Sequence, residues 1–177
     1  SINHIYEDRF NRIWISTDRQ GLVCLDASGR KKAVYKTPDL PGNLAGIVLE
    51  DKEGALFVTV AGTVLMFDEV SSTFIPFRVK DRQGIDIREM TLTKDGVIYL
   101  GTYGKGVYSI NKEKRLLTPV ENIHTPFLNM NTAKVVAITE DRNQNLWLGC
   151  FQKGIVMIPN RPVVFGFWNL SEKGYDM

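Results

Sequence analysis

Four copies of one motif follow one another along the chain, and this repetition restricts the fold to architectures that stack equivalent units. Each copy centres on a short run with the order aliphatic, aromatic, aliphatic, small. The aromatic residues of these runs lie 43, 42 and 48 residues apart and are Trp14, Phe57, Tyr99 and Trp147. We expect these four side chains to occupy equivalent, buried positions.

Each copy predicts four β-strands. The central run is apolar at consecutive positions, which is typical of a strand that is buried on both faces of its sheet. A turn rich in Asp, Asn and Gly precedes this run, and a short loop and two further strands follow it. The third strands are expected at 22–25, 64–67, 107–110 and 155–158, and the fourth strands near 33–35, 74–77, 116–120 and 163–167.

Four strands in a unit of this length predict the blade of a β-propeller, in which neighbouring blades cover both faces of each sheet. We therefore predict an all-β chain of four four-stranded antiparallel blades. Their approximate bounds are 1–40, 41–82, 83–130 and 131–170, and residues 171–177 form a tail or linker. The residues leave two arrangements open, a closed ring of four blades or a segment of a larger propeller.

The order of residues within the copies resembles the two-component-regulator propeller repeat. Residues 5–17 read IYEDRFNRIWIST and residues 138–150 read ITEDRNQNLWLGC. The second copy has Val60-Ala61 in place of the usual Thr and lacks the loop glycine equivalent to Gly21, and the third has Leu92-Thr93 in place of Glu-Asp. This repeat is typical of the sensor half of hybrid two-component regulators of gut Bacteroidetes, in which propellers precede a membrane helix, a histidine kinase and a response-regulator region.

The resemblance implies that the four blades are a segment of a larger, about seven-bladed propeller. It also implies a non-enzymatic, ligand-sensing domain in the periplasm, as part of an inner-membrane sensor that forms a homodimer. Such a sensor typically recognises an oligosaccharide and signals across the membrane to transcriptional control. The histidine kinase of the parent protein lies outside this segment.

The charge balance argues against several other partners. The chain has 22 Lys and Arg against 20 Asp and Glu, and the basic residues are scattered, so the sequence has no basic patch of the kind that binds nucleic acid. The longest apolar runs are only a few residues long, whereas a membrane-spanning helix needs about 20. We therefore predict no nucleic-acid partner and no membrane insertion by this segment.

The sequence predicts no catalytic residue, no metal site and no cofactor. It has only two histidines and two cysteines, and Cys24 and Cys150 lack Cys-x-x-Cys spacing, although a disulfide between them is left open. The repeated Glu-Asp pairs at 7–8, 50–51 and 140–141 are expected to shape turns. Two alternatives remain: a lyase or hydrolase of the streptogramin-lyase type, which needs a histidine and metal-binding acids, and a passive protein-interaction scaffold.

Ligand-binding residues are expected where otherwise equivalent copies differ. In a propeller, the loops after the second strands and the loops between blades, of which 121–133 is the longest here, surround the mouth of the central channel. Aromatic rings there can stack on a sugar, and Arg, Lys, His and Gln can donate hydrogen bonds to its hydroxyls. The candidates, one of which lies on a first strand, are Arg19, Gln20, Arg82, Arg88, Tyr103, Lys105, His124, Phe127, Phe151, Gln152 and Lys153.

Overall fold

The computed structural model describes residues 1–36, 45–79, 84–121, 123, 125 and 128–160. Within these residues, nearly all regular structure is β-strand, and Met130–Thr132 forms a single 3₁₀ turn. In chain order, the strands are β1 (Ile2–Glu7), β2 (Ile13–Thr17), β3 (Leu22–Leu25), β4 (Lys31–Tyr35), β5 (Ala45–Glu50), β6 (Leu56–Val60), β7 (Thr63–Asp68), β8 (Thr73–Pro76), β9 (Arg78–Val79), β10 (Ile87–Leu92), β11 (Ile98–Thr102), β12 (Val107–Asn111), β13 (Leu116–Pro119), β14 (Val135–Glu140), β15 (Leu146–Cys150) and β16 (Gly154–Ile158).

In the described part of the chain, the strands form four sheets, one for each sequence repeat. The strand orders are β1-β2-β3-β4, β5-β6-β7-β8, β10-β11-β12-β13-β9 and β14-β15-β16. The short strand β9 was not expected, and it pairs parallel to β13. The fourth strand predicted near 163–167 lies outside the described residues. These sheets confirm the predicted all-β fold.

The chain divides into two compact units. Unit 1 comprises Ser1–Ile85 and Asn111–Leu117, and unit 2 comprises Asp86–Ile110 and the described residues from Thr118 onward. Unit 1 holds the first and second sheets, and unit 2 holds the fourth sheet together with most of the third. Each unit is therefore built around neighbouring blades that share a core.

The core of unit 1 is centred on Trp14, whose side chain is fully buried. Its ring stacks on Tyr35 of the same sheet at a centroid distance of 5.9 Å. Phe67 and Phe74 of the second sheet meet the indole edge-on at 5.1 and 6.5 Å. Tilted and edge-on contacts at these distances are the favourable arrangements for aromatic pairs. Four rings thus fill the space between the first two blades.

The opposite face of the first sheet carries an apolar row that is in register across all four strands. The row, which we call the outer row, runs from Ile5 through Ile15 and Val23 to Val34. Ile5 is 59% exposed and Val34 is 39% exposed. In the second sheet, the equivalent row of Val48, Val58 and Leu65 is buried in the core that also contains Trp14. The outer row therefore has the composition of an interblade surface but is exposed.

Unit 2 uses smaller side chains between its sheets. Val107 of the third sheet shares a core with Val135 and Leu148 of the fourth, and Tyr99 packs partly buried against them. A cavity of about 300 Å³ lies beside Tyr99, at the place in this pair of blades where unit 1 has its aromatic cluster. Trp14 and Phe57 are therefore buried as expected, whereas the two repeated aromatic residues of unit 2 are only partly buried.

Trp147 is the second half-buried member of that set. It alternates along β15 with Leu146 and Leu148, which are buried in the core of unit 2, so its side chain lies on the other face of the sheet. Within the described residues of unit 2, no further sheet covers that face. The sequence could not reveal this difference because all four copies carry the same motif.

Asp8, the second residue of the first Glu-Asp pair, organises the turn between β1 and β2. Its Oδ1 accepts hydrogen bonds from the backbone N–H groups of Phe10 and Arg12 at 2.9 and 3.0 Å. Its Oδ2 accepts a hydrogen bond from Trp14 Nε1 at 2.7 Å and one from Arg12 Nε at 2.6 Å. Burial alone would raise the pKa of Asp8, but the hydrogen bonds from Trp14 and Arg12 lower it overall. The carboxylate thus joins the turn to the core, as expected for a structural role.

The glutamate of the pair serves a neighbouring blade instead of its own turn. Glu50 Oε2 accepts a hydrogen bond from the backbone N–H of Arg9 in the turn of the first sheet, at 3.0 Å. In unit 2, Glu140 Oε2 accepts the equivalent bond from the backbone N–H of Lys94, at 2.8 Å. The expected role of the acidic pair in shaping turns is confirmed, and it extends to the alignment of adjacent sheets.

Acidification is expected to weaken the turn before β15. Asp141 Oδ2 accepts hydrogen bonds from Trp147 Nε1 and Asn145 Nδ2, and these bonds lower the pKa of Asp141 to about 2. A carboxyl with a lowered pKa stabilises the fold above its ordinary pKa of about 4, and this contribution is lost as the pH falls from about 4 to about 2. We expect Asp141→Asn to reduce the proton uptake on unfolding in this range by up to about one proton.

Denaturant unfolding at a series of pH values between 5 and 2 measures this effect. Glu113→Gln is the matched control, because Glu113 is an exposed carboxylate in the turn between β12 and β13. An Asp141→Asn variant whose stability falls with pH as steeply as that of the parent chain would contradict the assigned role of Asp141.

Candidate functional site

Two of the predicted ligand-binding loops meet in unit 2, on either side of the segment Ala133–Lys134. The loop that follows β11 is held by hydrogen bonds from the N–H of Tyr103 to Asp86 O at 2.8 Å and from the N–H of Gly104 to Ala133 O at 3.2 Å. The loop that follows β15 is held by the N–H of Phe151, which donates to Lys134 O at 2.8 Å. Backbone hydrogen bonds therefore fix the relative position of the two loops.

The side chains at this junction form a compact group of rings and cations. The rings of Tyr103 and Phe151 have centroids 5.8 Å apart and are tilted by 52°. Lys134 Nζ lies 4.4 Å from the Tyr103 centroid and 5.8 Å from the Phe151 centroid, and it donates a hydrogen bond to Tyr103 Oη at 3.3 Å. The guanidinium carbon of Arg88 lies 5.0 Å from the Tyr103 centroid. We call Arg88, Tyr103, Lys134 and Phe151 the Tyr103 cluster.

The charges of the Tyr103 cluster are unevenly compensated. Arg88 Nη2 pairs with Asp86 Oδ2 at 2.6 Å, and both side chains are half-exposed. Lys134 is exposed, and no carboxylate of the described residues forms an ion pair with it. The cluster therefore combines two ring surfaces with a net positive charge, an arrangement that can bind a ligand with both apolar and oxygen-rich surfaces.

Glycine determines the shape of the loop after β11. Gly106 has φ +68°, and a Cβ there would lie 2.0 Å from Met130 O, so no other residue fits. Gly104 has φ +109°, yet a Cβ there would meet nothing within 4 Å. Apart from its two chain neighbours, no residue therefore covers the backbone at Gly104.

The remaining predicted site residues are distributed differently. Lys105 is half-buried in the loop of Tyr103, and Gln152 and Lys153 are exposed in the loop of Phe151. Arg19 and Gln20 are exposed in the equivalent loop of unit 1. Three candidates lie outside the described residues: Arg82, His124 and Phe127.

The prediction missed Lys134. The longest interblade loop was expected at 121–133, so Lys134, which directly precedes β14, falls outside it. One signal was available in the sequence. Lys134 lies two places before Val136 and corresponds to Asp86 of the third copy, so this position is charged in both copies. Its contact with Tyr103, through an isolated β-bridge, depends on the packing of two blades and could not be inferred from local sequence.

The repeat itself is recognisable in the first and last blades. A family model described as "Two component regulator propeller" matches residues 1–19 and 129–152, which include the IYEDRFNRIWIST and ITEDRNQNLWLGC segments. These two segments of the chain match the two-component regulator propeller repeat. This confirms the resemblance on which the sequence analysis relied. No curated protein matches the sequence.

Solved structures similar to these repeats are propellers of several kinds. Two are extracellular domains of proteins designated hybrid two component systems of B. thetaiotaomicron. The first has 17% identity and a TM-score of 0.73 over 90% of this chain, and the second has 20% identity and a TM-score of 0.70 over 96% of it. This chain covers 22% of each of them, so it spans about a fifth of their length.

A third similar structure is a virginiamycin B lyase from Staphylococcus aureus, with 15% identity and a TM-score of 0.69. The match covers 91% of this chain and 56% of the lyase. The WD40 β-propeller domain of Doa1 also matches, with a TM-score of 0.66. At these identities the likeness concerns the fold alone, and it supports the predicted propeller architecture.

The two cysteine thiols and His4 lie in surroundings that indicate structural roles. Cys24 and Cys150 are buried and unpaired with each other, and burial raises the pKa of both thiols. His4 Nδ1 accepts a hydrogen bond from the backbone N–H of Val48 at 3.2 Å. Among the residues that the structure describes, no three His, Cys, Asp or Glu side chains are grouped as metal ligands, and no helix is long and apolar enough to span a membrane.

Proposed function

We propose that this chain is part of the non-enzymatic, ligand-sensing propeller of a hybrid two-component sensor located in the periplasm. The match of residues 1–19 and 129–152 to the two-component regulator propeller supports this proposal, as does the similarity to extracellular domains of hybrid two component systems. The parent protein would act as a homodimer, with a histidine kinase outside this segment that transmits ligand binding across the membrane to transcriptional control.

The ligand that fits the Tyr103 cluster is an oligosaccharide. The observation that carries this proposal is the pairing of two aromatic rings, from loops of adjacent blades, with cationic donors beside them. A ring face can stack on the C–H face of a sugar, and Lys and Arg can donate to its hydroxyls. Phe151 is 43% exposed, so part of its ring surface is available to a ligand.

The similarity to a virginiamycin B lyase makes a lyase or hydrolase the second candidate. His4 does not favour this function, because its imidazole already accepts a backbone hydrogen bond between the first two sheets of unit 1. His124 lies outside the described residues, so the enzymatic alternative has to be distinguished by experiment. A passive protein-interaction scaffold is the third candidate, since propellers commonly serve as platforms.

We expect Phe151→Ala and Tyr103→Ala to weaken oligosaccharide binding by the intact sensor that contains this chain. Stacking on one or two rings with a few hydrogen bonds gives an expected affinity of micromolar to millimolar, or about −4 to −8 kcal/mol. Loss of one ring should weaken binding about tenfold, because a stacked ring contributes about 1 kcal/mol or more. Calorimetry against a panel of plant and host glycan oligosaccharides measures both variants.

Phe10→Ala is the matched control, because Phe10 is 57% exposed in a turn of unit 1. Tyr103→Phe retains the ring and separates the loss of stacking from the loss of the hydroxyl. Binding that is unchanged in both alanine variants would exclude the Tyr103 cluster as the site. Consumption of any saccharide would favour the lyase or hydrolase, and a panel without any binding would favour the scaffold.

A further inference from the structure

We propose that the ligand of the Tyr103 cluster is an acidic saccharide, with a carboxylate or sulfate group on the sugar that lies against Phe151, and that Lys134 binds this anionic group. The inference rests on the proposed function and narrows its ligand class. It is carried by the position and the charge of Lys134, a residue that the sequence analysis did not select.

The ammonium group of Lys134 is held in place by rings and not by an acid. Its Nζ lies within 4.4 Å of one ring centroid and 5.8 Å of the other, and one of its three N–H donors bonds to Tyr103 Oη. No carboxylate of the described residues pairs with it. Two donors of a positioned cation are therefore available to a ligand, and an anion makes stronger hydrogen bonds with them than a neutral hydroxyl does.

The surroundings of Lys134 hold a second cation, Arg88, whose charge is shared with Asp86. Arg88 contributes a second cation over the same Tyr103 ring, and its pairing with Asp86 uses only part of its five N–H donors. Glu89 follows Arg88 on β10, so its side chain begins on the opposite face of the strand, and its Oε1 accepts the N–H of Met90. Lys153 is exposed on the loop of Phe151. The cluster as a whole therefore favours an anionic ligand.

The two rings define how a sugar would be oriented. Tyr103 Oη accepts from Lys134, so its own proton is free to be donated to an oxygen of the ligand. Phe151 offers the exposed ring face to a stacked sugar. A pyranose stacked on Phe151 directs the substituent of its C5 carbon beyond the ring edge, where the Lys134 ammonium group can reach it.

The test compares matched acidic and neutral oligosaccharides on the intact sensor. The pairs are galacturonate and galactose oligosaccharides, glucuronate-containing and glucose oligosaccharides, and sulfated and unsulfated forms of one glycan. We expect the preferred acidic ligand to bind about tenfold more tightly than its neutral counterpart, which is the ratio that one charge-assisted hydrogen bond can supply. Added salt should reduce this ratio, because the contact is exposed to solvent.

Variants assign the preference to its residue. Lys134→Gln should remove the tenfold preference, because glutamine can still donate to a hydroxyl but carries no charge, while Lys134→Arg should retain most of the preference. Lys114→Gln is the matched control, since Lys114 is an exposed lysine of the turn between β12 and β13. Thermal unfolding of each variant verifies that the fold is intact, as expected for an exposed side chain.

The outcomes separate this inference from the proposed function. Equal binding of acidic and neutral ligands, weakened by Phe151→Ala and unaffected by Lys134→Gln, would overturn the acidic class while leaving the saccharide site in place. A preference for acidic ligands that persists in Lys134→Gln would overturn the assignment to Lys134. If none of the saccharides binds, the proposed function and this inference both fail.

Discussion

Replacing Trp14 by alanine is expected to lower the free energy of unfolding of this chain by about 3–5 kcal/mol, the typical cost of removing a large aromatic residue from a core. Trp14 is fully buried, and its ring contacts Tyr35, Phe67 and Phe74. The substitution leaves a cavity between the first two blades and removes the indole donor from Asp8. Urea unfolding followed by far-UV circular dichroism, at low protein concentration, measures the loss.

Two further variants separate the contributions to this effect. Trp14→Phe keeps an aromatic ring but removes the hydrogen bond to the ionised Asp8, and it should cost about 1.5–3 kcal/mol. Trp147→Ala removes the equivalent residue of the fourth blade, which is only half-buried, and should cost less than Trp14→Ala. Equal losses for Trp14→Ala and Trp147→Ala would mean that the two residues are covered to the same extent in solution.

The chain of 177 residues is expected to self-associate through the outer row. Ile5, Ile15, Val23 and Val34 form a continuous apolar surface across the first sheet, and its counterpart in the second sheet is buried by a neighbouring blade. Water-exposed apolar surface of this kind favours association with another apolar surface. Light scattering and sedimentation should detect species larger than 20.0 kDa that increase with protein concentration.

Charge substitutions in the outer row test its role. Ile5→Lys and Val34→Lys together should shift the protein towards the monomer. Val70→Lys is the matched control, because Val70 is 96% exposed in the turn between β7 and β8 and lies outside the row. A parent chain that remains monomeric at high concentration would contradict the prediction and would favour the closed four-blade ring over the segment of a larger propeller.

Much of the fold could be predicted because each strand carries its own local signal. The third strand of the first blade was placed at 22–25 and is found at Leu22–Leu25, since a glycine precedes the apolar run and Asp26 follows it. The strand β9 could not be predicted, because a two-residue strand has no periodicity and its pairing with β13 arises from the packing of distant segments. The different burial of Trp14 and Trp147 depends on neighbouring sheets, which identical motifs do not reveal.

The candidate site was predicted in part. Tyr103 and Phe151 were selected because aromatic residues in loops are not needed by the common blade, and the structure brings them together with Arg88. Other candidates, such as Arg19, are exposed in the loops of other copies. Nothing in the local sequence determines whether such residues meet at one ligand. The contact of Lys134 with Tyr103 is visible only from the backbone bridge that joins two blades.

The two residues of the Glu-Asp pair have different functions, and this has a consequence for how such chains can gain or lose whole blades. Asp8 accepts hydrogen bonds from the turn of its own blade, while Glu50 and Glu140 each accept one from the turn of the blade before them. A repeat that is added or removed as a whole therefore takes with it both the Asp that holds its own turn and the Glu that bonds to the turn of the preceding blade. The third copy has Leu92 in place of the glutamate, and an aliphatic side chain cannot accept such a hydrogen bond.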